Sequence, residues 1–183
     1  MLTPDPGGTR SQLSSSVDVA PLILTIATGS DRWRSDSRYQ HLTPRADMAR
    51  ICSNPTTPGR PWIAHTTDEI GGNHSGDAPS HIVGVRTPTA KAGLYSFWKP
   101  GTTDIDTAAG QDREFYDYDT DDGRLELAAQ TGQGPKAQQL HDFLQQTVIP
   151  QEVNQPLPDY LLTAQAEGMA DLATQTKKGS RLY

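Results

Sequence analysis

The chain carries one cysteine, Cys52, in 183 residues. That excludes an internal disulfide and any zinc site built on cysteine pairs. Aromatic residues are scarce at 7%, and apolar residues as a group reach 34%, a modest stock for a core. No apolar run spans a membrane: the longest, VAPLILTIA at 19–27, is about half the length a crossing helix needs. The opening MLTPDPGGTRSQ has no apolar segment, so no signal peptide is expected, and a cytoplasmic location follows by default. Positive charge is short as well. Lysine and arginine total 16 against 22 Asp and Glu, a net charge of −6, and no basic stripe is visible. Such a surface repels phosphate backbones, so neither nucleic acid nor a membrane is expected as a partner. No G-x-S-x-G, P-loop or dinucleotide fingerprint occurs.

What is plentiful is punctuation. Sixteen glycines and 14 prolines imply many loops in a chain long enough for one domain with an appendage. Residues 1–14 read as an extended lead-in. In SSVDVAPLILTIATG, Asp18 is placed to cap a helix near 18–28 by accepting from the free N–H groups of its first turn. Val19, Leu22, Ile23, Ile26 and Ala27 give that helix one apolar side, and Gly29 is placed to end it. A second helix, near 43–53, is expected to start at Thr43-Pro44 and to pack Leu42, Met48, Ala49 and Cys52. The period then shortens. PWIAHTT (61–67), HIVGVRT (81–87), KAGLYSFW (91–98) and EFYDY (114–118) read as strands, the middle two as a hairpin through Thr87-Pro88-Thr89. Polar loops fill 68–80 and 99–113. Helices are expected again over 124–176, one of them in GPKAQQLHDFLQQTVIP stopping at Pro150. The fold class is α+β: a short antiparallel sheet of about four strands packed with helices.

Three places hold residues capable of chemistry. EFYDYDTDDGRLELAAQ puts Asp117, Asp119, Asp121 and Asp122 close together, as a calcium loop does. An EF-hand loop, however, needs glycine at its sixth position and a glutamate at its twelfth. Counted from Asp117, those positions hold Asp122 and Ala128, so an acidic strand-to-helix turn is the competing and better reading. His65, His74 and His81 are nine and seven residues apart, on different elements, which does not suit zinc. His65 is either an ordinary sheet residue or, with Asp68 or Glu69 at the strand end, a substrate-proximal group. Cys52 lies on the apolar side of the second expected helix, which favours a buried thiol over a nucleophile.

Three of these segments, in this order, resemble the C-terminal part of sulfatases of the alkaline-phosphatase-like superfamily. SSVDVAPLILTIATG is similar to the family's S-x-V-D-x-x-P-T-L-L-x-L-A-G helix. HIVGVRTPTAKAGLYSFW is similar to its late hairpin, with Tyr95 shifted from the usual place after Lys91. EFYDYDTDDGRLELAAQ resembles E-L-Y-D-L-x-x-D-P-x-E-x-x-N-L-A, which in sulfatases is the turn from the final strand into the closing helix. The resemblance covers residues 10–130. It implies that 1–60 correspond to the end of a sulfatase catalytic domain and 61–183 to a C-terminal subdomain, with its sheet at 61–118. It also implies sulfate-ester hydrolysis by a formylglycine and a calcium ion in the parent family. Those parts precede the VDVAP-type helix, and Ser53-Asn54-Pro55-Thr56-Thr57 lacks the arginine of the C/S-x-P-x-R motif. The chain is therefore expected to hold no catalytic residue, metal ligand or cofactor of its own. It is expected to be inactive alone, with a missing N-terminal catalytic half as its implied partner and the VDVAPLILTIA helix as the docking face. His65, Asp68 and Glu69 are then the substrate-proximal residues. The alternative is a non-catalytic binding or interaction module derived from a sulfatase.

Overall fold

The computed structural model describes residues 8–68, 79–99, 102, 104–126, 134–154 and 159–177. They form an α+β fold with a four-stranded antiparallel sheet, in two compact units, Met1–Ile63 and Ala64–Tyr183.

In the first unit, helix α1 (Val19–Thr28) stops at Gly29, whose left-handed φ of 66° suits a residue without Cβ. Its start differs from expectation. Asp18 already has helical dihedrals at the end of a 3-10 turn, Ser16–Asp18, so its carboxylate points backwards rather than over the free N–H groups. It accepts from Ser15 N and Ala46 N, each at 2.9 Å, and from Nη2 and Nε of the Arg60 guanidinium at 2.5 and 2.7 Å. Behind α1, Thr25 accepts from the buried Trp33 indole at 2.9 Å, and Arg34 lies over the Trp33 ring. The second helix also starts later than expected. Ser37–Leu42 form a 3-10 helix, and α2 (Met48–Ser53) begins at Asp47, which caps Arg50 N at 3.0 Å. Its buried face also differs: Ala49 and Ile51 are buried, and Cys52 is exposed rather than buried.

In the second unit, β1 (Ile63–Asp68), β2 (His81–Arg86), β3 (Ala90–Ser96) and β4 (Asp112–Asp117) lie in sequence order. Thr87 closes the β2–β3 hairpin: its amide donates to Ala90 O at 2.8 Å and its hydroxyl accepts from Ala90 N at 3.1 Å. That fixes the register from His81↔Ser96 to Arg86↔Lys91. Alternation then puts Val83, Val85, Ala90, Ala92, Leu94 and Phe115 on one buried face. The helical layer contributes Ala137 and Leu140 from α4 (Pro135–Phe143), then Leu144 and Val148. The single helix expected to run to Pro150 instead widens at Leu144 into a π-helical stretch, Leu144–Val153, with Pro150 inside it. In an α-helix the proline ring would press on the carbonyl four residues back, and the wider turn relieves that contact. Between β3 and β4 the chain is not all loop: Trp98 pairs with Ile105, and Asp106 N donates to Phe97 O at 2.7 Å. A one-turn helix α3 (Asp121–Arg124) follows β4, and α5 (Asp159–Lys177) is the last described element. No helix among the described residues is long and apolar enough to cross a membrane.

Candidate functional site

The acidic segment is a strand-to-helix turn. Thr120 caps α3, its hydroxyl accepting from Gly123 N at 3.1 Å. Asp117 turns back on its own loop and accepts from Asp119 N at 3.0 Å. Gly123 packs so closely on the Asp117 carbonyl that a Cβ there would overlap it. The carboxylates do not converge on a common centre. Lys136 donates to Asp117 and, at 2.7 Å, to Asp119, while Arg124 holds Asp121 at 2.6 Å. Bonding to Lys136 keeps the Asp117 carboxyl below its ordinary range and raises the lysine. Calcium requires six to eight oxygens around one point, and this donor set does not fit it.

Of the residues expected near substrate, His65 lies within β1 and Asp68 at its end. His65 sits exposed on β1, its Nε2 3.0 Å from Thr67 Oγ1. Asp68 ends β1 and lies 2.5 Å from Nδ1 of His81, the first residue of β2. Glu69 lies outside the described residues, as does His74. His81 is the partner that sequence reasoning passed over, because thirteen residues separate it from Asp68 and only pairing of the two strands brings them together. Its ring leans on Trp98 at 4.3 Å between centroids, and Trp98 N donates to Ser80 Oγ at 2.9 Å. Beside it, Gln111 donates to the buried Ser96, the cross-strand partner of His81. A carboxylate on Nδ1 fixes the tautomer and aim of an imidazole. In this arrangement Ser96 Oγ accepts from Gln111 at 2.9 Å. The site is a braced strand end with one exposed carboxylate and a histidine of fixed orientation.

The other unusual surface is on α1. Pro21 and Thr25 face inwards, whereas Val19, Ile23 and Ile26 point to solvent, Ile23 being 59% and Ile26 71% exposed. These three lie at i, i+4 and i+7, so they form a continuous apolar stripe. Compared with known proteins, the chain matches no family model, no curated protein and no solved structure.

Proposed function

We propose that these 183 residues are a sulfatase-like C-terminal portion that carries no catalytic centre and serves to pack against and brace a catalytic half of a sulfuric ester hydrolase. The observation that carries this reading is the stripe of Val19, Ile23 and Ile26 on α1. That helix is the one whose sequence resembles the sulfatase helix expected to lie against the catalytic domain. An apolar stripe left in water is what one side of an interface looks like without the other. The shape of the 117–123 turn supports the same reading, since the similar sulfatase segment is also a turn into the closing helix.

In this reading the catalytic half supplies the nucleophile and the cation. The residues of this chain bind and position: the α1 stripe covers apolar surface, and Asp68, with His65 beside it on β1, lines the approach of substrate. The purified chain is expected not to hydrolyse an aryl sulfate with or without calcium, and turnover by it would overturn the proposal. Co-expression with a polypeptide carrying C/S-x-P-x-R from a neighbouring reading frame is expected to give a stable, active complex. A second reading, a non-catalytic interaction module derived from a sulfatase, rests on the same exposed stripe. An unrelated gene neighbourhood favours it over the first.

A further inference from the structure

We propose that α4 and the π-helical stretch after it form an acid-sensitive latch on the sheet, with His141 as the pin. His141 is 2% exposed, and its Nε2 is buried without a hydrogen-bond partner among the described residues. The other ring nitrogen donates to the Glu114 carbonyl on β4. The neutral ring therefore has its one donor used and its acceptor facing a dry surround. Leu140 and Leu144 flank it along the helix, and β3 offers Ala92, Leu94 and Ser96 on the face it covers.

The charged and titratable groups around it do not provide for a proton. From β4, Arg113 adds positive charge near the ring. Asp117, at the far end of the same strand, is held by Lys136. On this face β2 presents His81 at its end, and β3 presents no titratable side chain. On α4 itself Asp142 favours the charged ring, but it already accepts from Gln138 at 2.7 Å. Burial and then Arg113 hold the imidazole below its usual range. A proton on Nε2 would create a buried donor with nothing to meet.

Linkage sets the direction. The docked ring is neutral with a depressed pKa, whereas the undocked ring takes up its proton at the ordinary value. Docking is therefore fully supported above the ordinary histidine range and weakens as pH falls through it. After Phe143 the backbone leaves α-helical register and runs on as the π stretch. Opening would bare Val83, Val85, Leu94 and Phe115, an apolar face that is silent at neutral pH.

Hydrogen exchange of the full chain tests this, read at about pH 7.5 and 5.5 and corrected for the intrinsic exchange rate, with one proton allowing at most about tenfold per pH unit. Amides of 137–149 are expected to exchange several-fold faster at the lower pH. His141→Asn keeps a donor for the Glu114 carbonyl but cannot titrate, and should remove that pH dependence. An unchanged wild type, or a variant with the same response, overturns the latch. If the variant does not fold, NMR titration of the wild-type histidine rings decides. His141 should take up its proton together with loss of α4 protection, and a ring that titrates while the α4 amides stay protected overturns the proposal.

Discussion

A buried carboxylate has to be matched atom for atom, and Asp18 is. It is 0% exposed, and each of its oxygens accepts from one backbone N–H and one guanidinium nitrogen of Arg60. Burial pushes its pKa up, but the Arg60 bonds and the Ser15 and Ala46 amides outweigh that and hold it below 3.8. Removing the carboxylate by Asp18→Ala takes the acceptor from two backbone amides and from the Arg60 guanidinium, and is expected to cost about 3–5 kcal/mol. Urea unfolding followed by tryptophan fluorescence measures it; a loss under about 1 kcal/mol would mean the pair is not the staple described. The sign with pH follows from the depressed value. The stabilisation is complete above the ordinary carboxylate range and is lost as pH falls through the folded pKa, so Asp18→Asn should be weaker at neutral pH yet less sensitive to acid. Glu126 shows the opposite bargain on the surface. Its φ of 54° is unfavourable for a residue with a Cβ, but its carboxylate accepts from Tyr118 at 2.8 Å and Lys91 at 2.7 Å. Burial and that bond push the Tyr118 phenol up to about 12.

Elements were legible where the signal was local. The β2–β3 hairpin could be read because Thr87-Pro88-Thr89 and the alternation on either side of it are neighbours in sequence, and the structure moves its edges by only one or two residues. Gly29 ended α1 for a reason contained in one residue. The role of Asp18 was misread because its partner is 42 residues away, and the His81–Asp68 pair was missed because strand pairing creates it. The widening at Leu144 had no compositional mark, since α and π turns differ by one residue in hydrogen-bond register and draw on the same side chains. The acidic turn was readable as a turn, but Lys136, which holds it shut, belongs to the next helix. The glycine of that turn gives an element-scale prediction. Gly123→Ala drives a methyl group into the Asp117 carbonyl, a backbone atom that cannot swing aside. The turn must open or α3 must unwind, at an expected cost of about 1–3 kcal/mol in chemical denaturation. Lys136→Ala should destabilise the same turn and lose its effect in the Gly123→Ala background, because both act on one hinge.

On the scale of the whole molecule, the proposed docking rests on the α1 stripe. Val19, Ile23 and Ile26 are spaced as core residues are, yet solvent surrounds them, while the opposite side of the same helix is occupied by Trp33. Replacing Ile23 and Ile26 with glutamate should therefore leave folding nearly untouched, within about 0.5 kcal/mol per site, because neither side chain leaves a packed environment. The same double substitution should abolish association with a catalytic half and reduce native-state binding of an apolar dye to this face. Thermal unfolding, dye fluorescence and co-purification read the three effects separately. If the double variant unfolds, the stripe is core after all. If it folds normally and still co-purifies with the catalytic half, α1 is not the docking face. Retained stability with lost association is the one combination that assigns the stripe to an interface, since it separates what holds this chain together from what it is shaped to hold.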